Sequence, residues 1–392
     1  MYHFKFQLYL FVCLLIFMCS CGQARSGVKA QPLPTAIDTV SYVVLGQPKE
    51  GNLTIKDTID LENRKCVLPE EISLNFKGGL VKNGTLVGNN TKLRSSGACF
   101  DRVRIMGTWS VPVISTSLFC NLNYDNALKD VVALSNPAVK NKIIIGRGDY
   151  QVSAYKNGDV CLPVNSNTEL VINGTIRLTP NNFTNYYILQ AEGHDIKIKG
   201  KGTILGDKHT HTGKKGEWGM GINLDHAHNV MIKGLTIKDC WGDCIYVGNE
   251  SSDVRIEDCL LDHGRRQGIS ITSADGVIIK NCTITNVGGT APEYAIDVEP
   301  NKRETVDNVV IENVITKNCR GGFLVYGKAP LAHVGKVTMR NCRIEASRKM
   351  PISIIRCSLA RVERCITRGS GRKDDINMVE VETAIKKNNR KE

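Results

Sequence analysis

Two acids stand two residues apart in Ala295-Ile296-Asp297-Val298-Glu299, alternating with apolar residues. Alternation with a period of two marks a strand with one face buried. Asp297 and Glu299 are therefore expected on one outer face, with Cα atoms about 7 Å apart. Two carboxylates so placed can serve as general acid and general base about a glycosidic bond, for which an inverting pair stands roughly 6.5–9.5 Å apart.

The elements that would position them form a repeat. The pattern apolar, any, apolar, polar, then Gly, Asn, Asp or Arg, then Cys or another apolar residue begins at Val230, Val254, Val277, Val309, Val337 and Ala360. The intervals are 24, 23, 32, 28 and 23 residues. Alternating pairs precede each: Ile222/Leu224, Ile245/Val247, Ile269/Ile271, Ile296/Val298, Phe323/Val325 and Ile352/Ile354. Short strands recurring at such a period describe a parallel β-solenoid. Turns carry Asn and Gly, as at Asn83-Gly84 and Asn173-Gly174, and the longer intervals must hold protruding loops. A leucine-rich horseshoe is excluded because its helical segments and Leu/Asn signature are missing.

Aligning the strands places further chemistry on the same face. One outward column is Asn223, Tyr246, Ser270, Asp297, Leu324 and Ser353; the next is Asp225, Gly248, Thr272, Glu299, Tyr326 and Ile355. Just ahead come Asp243 and Gln267, and one step earlier Arg266, Glu293 and Arg320. Asp243 is two coils from Asp297, on the order of 10 Å along the stack. The catalytic candidates are Asp243, Asp297 and Glu299. The substrate-binding candidates are Asp225, Tyr246, Arg265, Arg266, Gln267, Glu293 and Tyr326. Arg266, Glu293 and Arg320 either bind a substrate carboxylate or form a mutual salt-bridge ladder. His209, His211, His226 and His228 with Asp225 lack a fixed ligand spacing, so neither a metal site nor a cofactor is expected. Calcium stays open, since it needs only oxygen ligands.

The chain has 392 residues, 51 Lys plus Arg against 39 Asp plus Glu, 36 Gly and 15 Cys. Hydrophobic content of 42% excludes global disorder, and one apolar run excludes a multi-span membrane protein. Cys259, Cys282, Cys342 and Cys365 share one column beside buried Val and Ile, so they are expected as inward thiols. Cys240 with Cys244 or Cys319 is the set in which a disulfide remains open. No nucleic-acid partner is indicated, and the oligomeric state is open.

Residues 4–20 form an apolar stretch with one charge, Lys5, near its start and lead into Ser20-Cys21, which resembles a bacterial lipoprotein signal with lipidation at Cys21. That implies a lipid-anchored protein of the bacterial cell envelope, touching membrane through the lipid only. No acidic cluster follows Cys21, which favours the periplasmic side over the surface. The expected organisation is a signal peptide at 1–20, a tether at 21–50, an N-terminal β-solenoid piece at 51–120, the main solenoid at 121–381 and a basic tail at 382–392.

The run from Asp125-Asn126-Ala127-Leu128, within an expected helix over Asn123 to Leu134, through Asn141 to Val152 resembles the entry to the pectate-lyase-like superfamily. The resemblance implies an all-β fold: a right-handed parallel β-helix with an N-terminal capping helix and a small N-terminal β piece. "GDCIYV" at 242–247 and "QGISI" at 267–271 are similar to stretches of polygalacturonase-like glycoside hydrolases. Asp243 matches one of that family's three carboxylates. Gly242 replaces a second, and Gln267 stands where the family has His. The resemblance implies a carbohydrate-active enzyme cleaving a polysaccharide, with uronic acids the expected sugars, by hydrolysis or β-elimination. The alternative is a non-catalytic glycan-binding or structural β-helix lipoprotein. A binding module would favour exposed aromatics for stacking on sugars, and aromatics are 6% of this chain.

Overall fold

The structure, a computed structural model, describes residues 38–327, 331–369 and 374–392. The expected signal peptide, Cys21 and most of the expected tether lie outside the described residues. The described chain is built from three sheets whose strands pair in parallel. A first sheet occupies residues 39–110, and two longer sheets run the length of the main coil. Among the described residues there is one α-helix, Ala127–Val132.

Left-handed residues turn the chain at its corners. Asp258, Asn281, Asn313, Asn341, Arg364 and Asn388 stand one per coil with φ between 50° and 56°. Asn and Asp tolerate this conformation better than other side-chain-bearing residues. Their side chains also stitch coil to coil: Asn281 Nδ2 donates to Asp258 Oδ1 at 3.1 Å, and Asn313 Nδ2 to Asn281 Oδ1 at 3.1 Å. The residue after each corner turns inward. Cys259, Cys282, Cys342 and Cys365 follow such corners, and all four are buried with free thiols. Cys240, Cys244 and Cys319 are free as well.

In-register stacking turns each inward position into a continuous column. Ile198, Ile232, Ile256, Ile279, Ile311, Met339 and Val362 form one such column, and every member is fully buried. Burying side chains of this size contributes about 1.5–3 kcal/mol each before entropy is counted. The last described coil breaks the rule. Val362 pairs with Lys386, and Thr367 pairs with Lys391, so lysines occupy two inward columns.

Three expected boundaries are corrected. Thr39–Ser41 pairs with Lys65–Val67, and Leu45 is buried, so the first sheet begins inside the expected tether. Ile376–Lys387 and Arg390–Lys391 pair with the preceding coil, so the expected basic tail is part of the solenoid. The helix is shorter than the pattern predicts. Asn126 adopts a left-handed φ of 56° ahead of it, and Asp125 is drawn away to accept from Ser153 Oγ and Tyr155 Oη. Ala127–Val132 packs against Phe100–Ser110, Val113–Ser115, Asp149–Val152 and Asp159–Val164. It therefore closes the junction between the first sheet and the main coil, rather than a bare end.

Candidate active site

Strand register confirms the outward column on which the sequence placed chemistry. Asn223 pairs with Tyr246, Tyr246 with Ser270, Ser270 with Asp297, and Asp297 with Leu324. Parallel neighbours stand about 4.8 Å apart, so the column is a ruled line of side chains on a rigid sheet. Asp243 and Gln267 sit just ahead of their strands, Ile245–Gly248 and Ile269–Ile271.

At the centre of this face the structure brings Asp243, Asp297, Arg266 and Gln267 together around Ser270. Asp243 Oδ2 accepts from Arg266 Nη1 at 2.8 Å and from Ser270 Oγ at 2.7 Å. Gln267 Nε2 donates to Asp297 Oδ2 at 2.6 Å, and its Oε1 accepts from the Tyr294 backbone N–H at 2.6 Å. Asp243 and Asp297 each keep a second carboxylate oxygen, Oδ1, buried without a hydrogen-bond partner. Arg266 Nε lies 3.5 Å from Glu217 Oε2, which belongs to the loop ahead of Trp218–Lys233.

The two carboxylates differ in what surrounds them. Burial raises Asp297 well above the ordinary carboxylate range; the Glu299 charge adds to this and Arg266 opposes it. Burial also raises Asp243, but Arg266 and Ser270 pull directly against that shift. Asp297 is thus biased toward its protonated form, and Asp243 carries the direct partners that support ionisation.

Asp297 and Glu299, expected two apart on one outer face, differ in their surroundings. Asp297 is 2% exposed, and Glu299 is half-buried just beyond its strand. Of the Arg266–Glu293–Arg320 set, for which the sequence leaves substrate binding and a mutual ladder both open, the structure pairs Glu293 with Arg320 but turns Arg266 elsewhere. Arg266 reaches Asp243 and Glu217, while Glu293 accepts from Arg320 and the Gly289 N–H and lies 3.7 Å from Lys349 Nζ. The insertion at 288–293 and the left-handed backbone of Glu293 (φ 65°) turn that carboxylate toward its own loop.

Arg265 points away from Arg266. It donates to Gly216 O and Trp241 O, both at 3.0 Å, and lies 3.6 Å over the Trp241 ring. Tyr246 stays beside the cluster with its hydroxyl 2.8 Å from Thr272 Oγ1. Asp225 accepts from Asn249 Nδ2 at 2.8 Å and lies 2.7 Å from His226 Nδ1, apart from the central cluster. Tyr326 is half-buried at the end of Gly321–Tyr326. Among the described residues no group of His, Cys, Asp and Glu is arranged to hold a metal ion.

Sequence reasoning missed how the loop at 206–217 is held. Asp207 accepts from Tyr186 Oη at 2.6 Å and Asn181 Nδ2 at 3.0 Å, and lies 2.8 Å from His211 Nδ1. His211 stacks on Trp241 at 3.9 Å, and Arg265 covers the same indole. The spacing of Asp207 and His211 was the available signal, yet only folding shows that Tyr186 and Trp241 close around them.

Residues 150–302 match the family model for the right handed beta helix region, and with the parallel register above this defines a right-handed parallel β-helix protein. Two curated relatives come from Bacillus subtilis (strain 168). The SPbeta prophage-derived protein YorA is 30% identical over 168 residues, 36% of this chain and 28% of the relative. YclG is 30% identical over 186 residues, 42% of this chain and 31% of the relative. The matched stretch thus spans less than a third of either relative. Among solved structures, alginate lyase AlyF-OU02 in complex with G6 aligns over 92% of this chain and 90% of its own, with 11% identity and a TM-score of 0.46.

Proposed function

We propose that this protein is a carbohydrate-active enzyme that cleaves a polysaccharide, with uronic acids the preferred sugars. The observation that carries the reading is the pair of buried carboxylates, Asp243 and Asp297, joined through Ser270, Gln267 and Arg266 on one rigid sheet face. Environments that separate the protonation of two carboxylates define an acid and a base. Asp297, biased to its protonated form, donates to the glycosidic oxygen. Asp243 is the base. A sugar carboxylate entering the site takes the place of Asp243 on Arg266. In an eliminating enzyme the same Arg266 would steady the charge that develops on the sugar carboxylate.

A second reading has its own support. Both carboxylates are covered, Asp243 completely, as suits a non-catalytic glycan-binding or structural β-helix. The lipid anchor at Cys21 and the cell-envelope location belong to this proposal under either reading.

The test is digestion of a polysaccharide panel with a soluble form beginning after Cys21. Cleavage is expected, and Asp243→Asn and Asp297→Asn are each expected to abolish it. Unsaturated products absorbing in the ultraviolet assign elimination; their absence assigns hydrolysis. Full activity in both variants would refute the site, and an inert wild type would favour the second reading.

A further inference from the structure

Another face of the coil carries a groove that the candidate active site does not use. It lies around the corner that follows Glu192, where the strand register shifts between Glu192 and Gly193. The cavity is about 460 Å³, and Lys140, Lys142, Lys197, Glu169, Asp195 and Asn229 contribute to its lining. Lys142, Glu169 and Lys197 stand on three successive coils in direct register. At about 4.8 Å per coil, these side chains span roughly 10 Å along the axis. Beneath them, Asn141 and Thr168 are buried, the Asn141 amide bonded to Asn136 and Val139 and the Thr168 hydroxyl to Ser166 O.

The charges in this groove are unequally committed. Glu169 lies 3.6 Å from Lys142 and 3.1 Å from Lys199. Asp195 accepts from Asn229 Nδ2 at 2.5 Å and sits 2.9 Å from His194 Nδ1. Both acids are thus held by neighbours, whereas among the described residues Lys140 and Lys197 make no ion pair. The lining combines lysines for anions with amide, hydroxyl and carboxylate groups for hydroxyls. It contains no aromatic ring for a nucleobase to stack on.

We propose that this groove binds an acidic oligosaccharide. Its sugar carboxylates pair with Lys140 and Lys197, and its hydroxyls donate to the Glu169 and Asp195 carboxylates between them. Lys142, Glu169 and Lys197 follow one another along the coil stack, so successive sugars meet successive coils. This site is separate from Asp243 and Asp297, and it would stand even if those residues cleave nothing.

The test is calorimetric titration of the full chain carrying Asp297→Asn, so that the probe survives, with a galacturonate hexasaccharide. Adding Lys140→Glu and Lys197→Glu is expected to weaken or remove one binding event by about tenfold, the scale of two surface ion pairs, at an unchanged melting temperature. Adding Arg266→Met instead is expected to leave that event in place. Unchanged binding in the lysine variant overturns the proposal, as does equal binding of a neutral glucose hexasaccharide. Cleavage assays on the Asp297-intact chain report on the other face, so their failure leaves this outcome readable.

Discussion

Arg266 Nη1 bonds Asp243 Oδ2 at 2.8 Å, a contact to a carboxylate with no solvent exposure. A buried ion pair adds little net stability over apolar residues of similar shape, but breaking it from one side strands a charge. Arg266→Met is therefore expected to destabilise the protein by about 3–5 kcal/mol. Asp243→Asn combined with Arg266→Met should recover most of that loss. Chemical unfolding of the two single variants and the double variant measures the coupling. Additive losses would mean that the two side chains do not act as a pair.

A second buried acid gives the fold a pH dependence of definite sign. Asp130, on the short helix, accepts from the Ile105 N–H at 3.0 Å and from Tyr124 Oη at 3.1 Å. Burial raises its carboxyl to about 6, against the opposing pull of Arg104. A folded-state value above the unfolded one means that the native protein holds the proton more tightly. The stabilisation is complete below the unfolded value of 3.8 and is lost as pH rises through about 6. The shift corresponds to on the order of 3 kcal/mol. Asp130→Asn should flatten the stability profile between these two values. A variant profile parallel to wild type would show that Asp130 is not responsible.

The coil was legible in the sequence because parallel stacking repeats one pattern at one register. Val277, Ile279 and Cys282 reappear as Val337, Met339 and Cys342 with the same inward directions. The column that joins Ser270 to Asp297 was readable for the same reason. What lies above that column was not. Arg266 lies between Asp243 and Glu217, the latter from an insertion that follows no repeat. Alternation told that Asp297 leaves the lumen; it could not tell that the carboxylate would be taken out of water and held by Gln267. The helix length failed for a related reason. Asn123 to Leu134 has a helical apolar pattern, but Asn126 goes left-handed and Asp125 serves Ser153 and Tyr155, contacts made with chain some 25 to 30 residues away.

The thiols provide a test of the inward columns. Of the twelve described cysteines, only Cys120 is exposed, and none is in a disulfide. Burial pushes Cys357 up to about 11 and Cys319 up to about 12, so neither offers an accessible thiolate near neutrality. An aromatic disulfide reagent at neutral pH should modify Cys120 in the folded protein and reach the other eleven only after denaturation. Peptide mapping of the labelled sites checks this. Fast native labelling of Cys282 or Cys342 would contradict the inward placement.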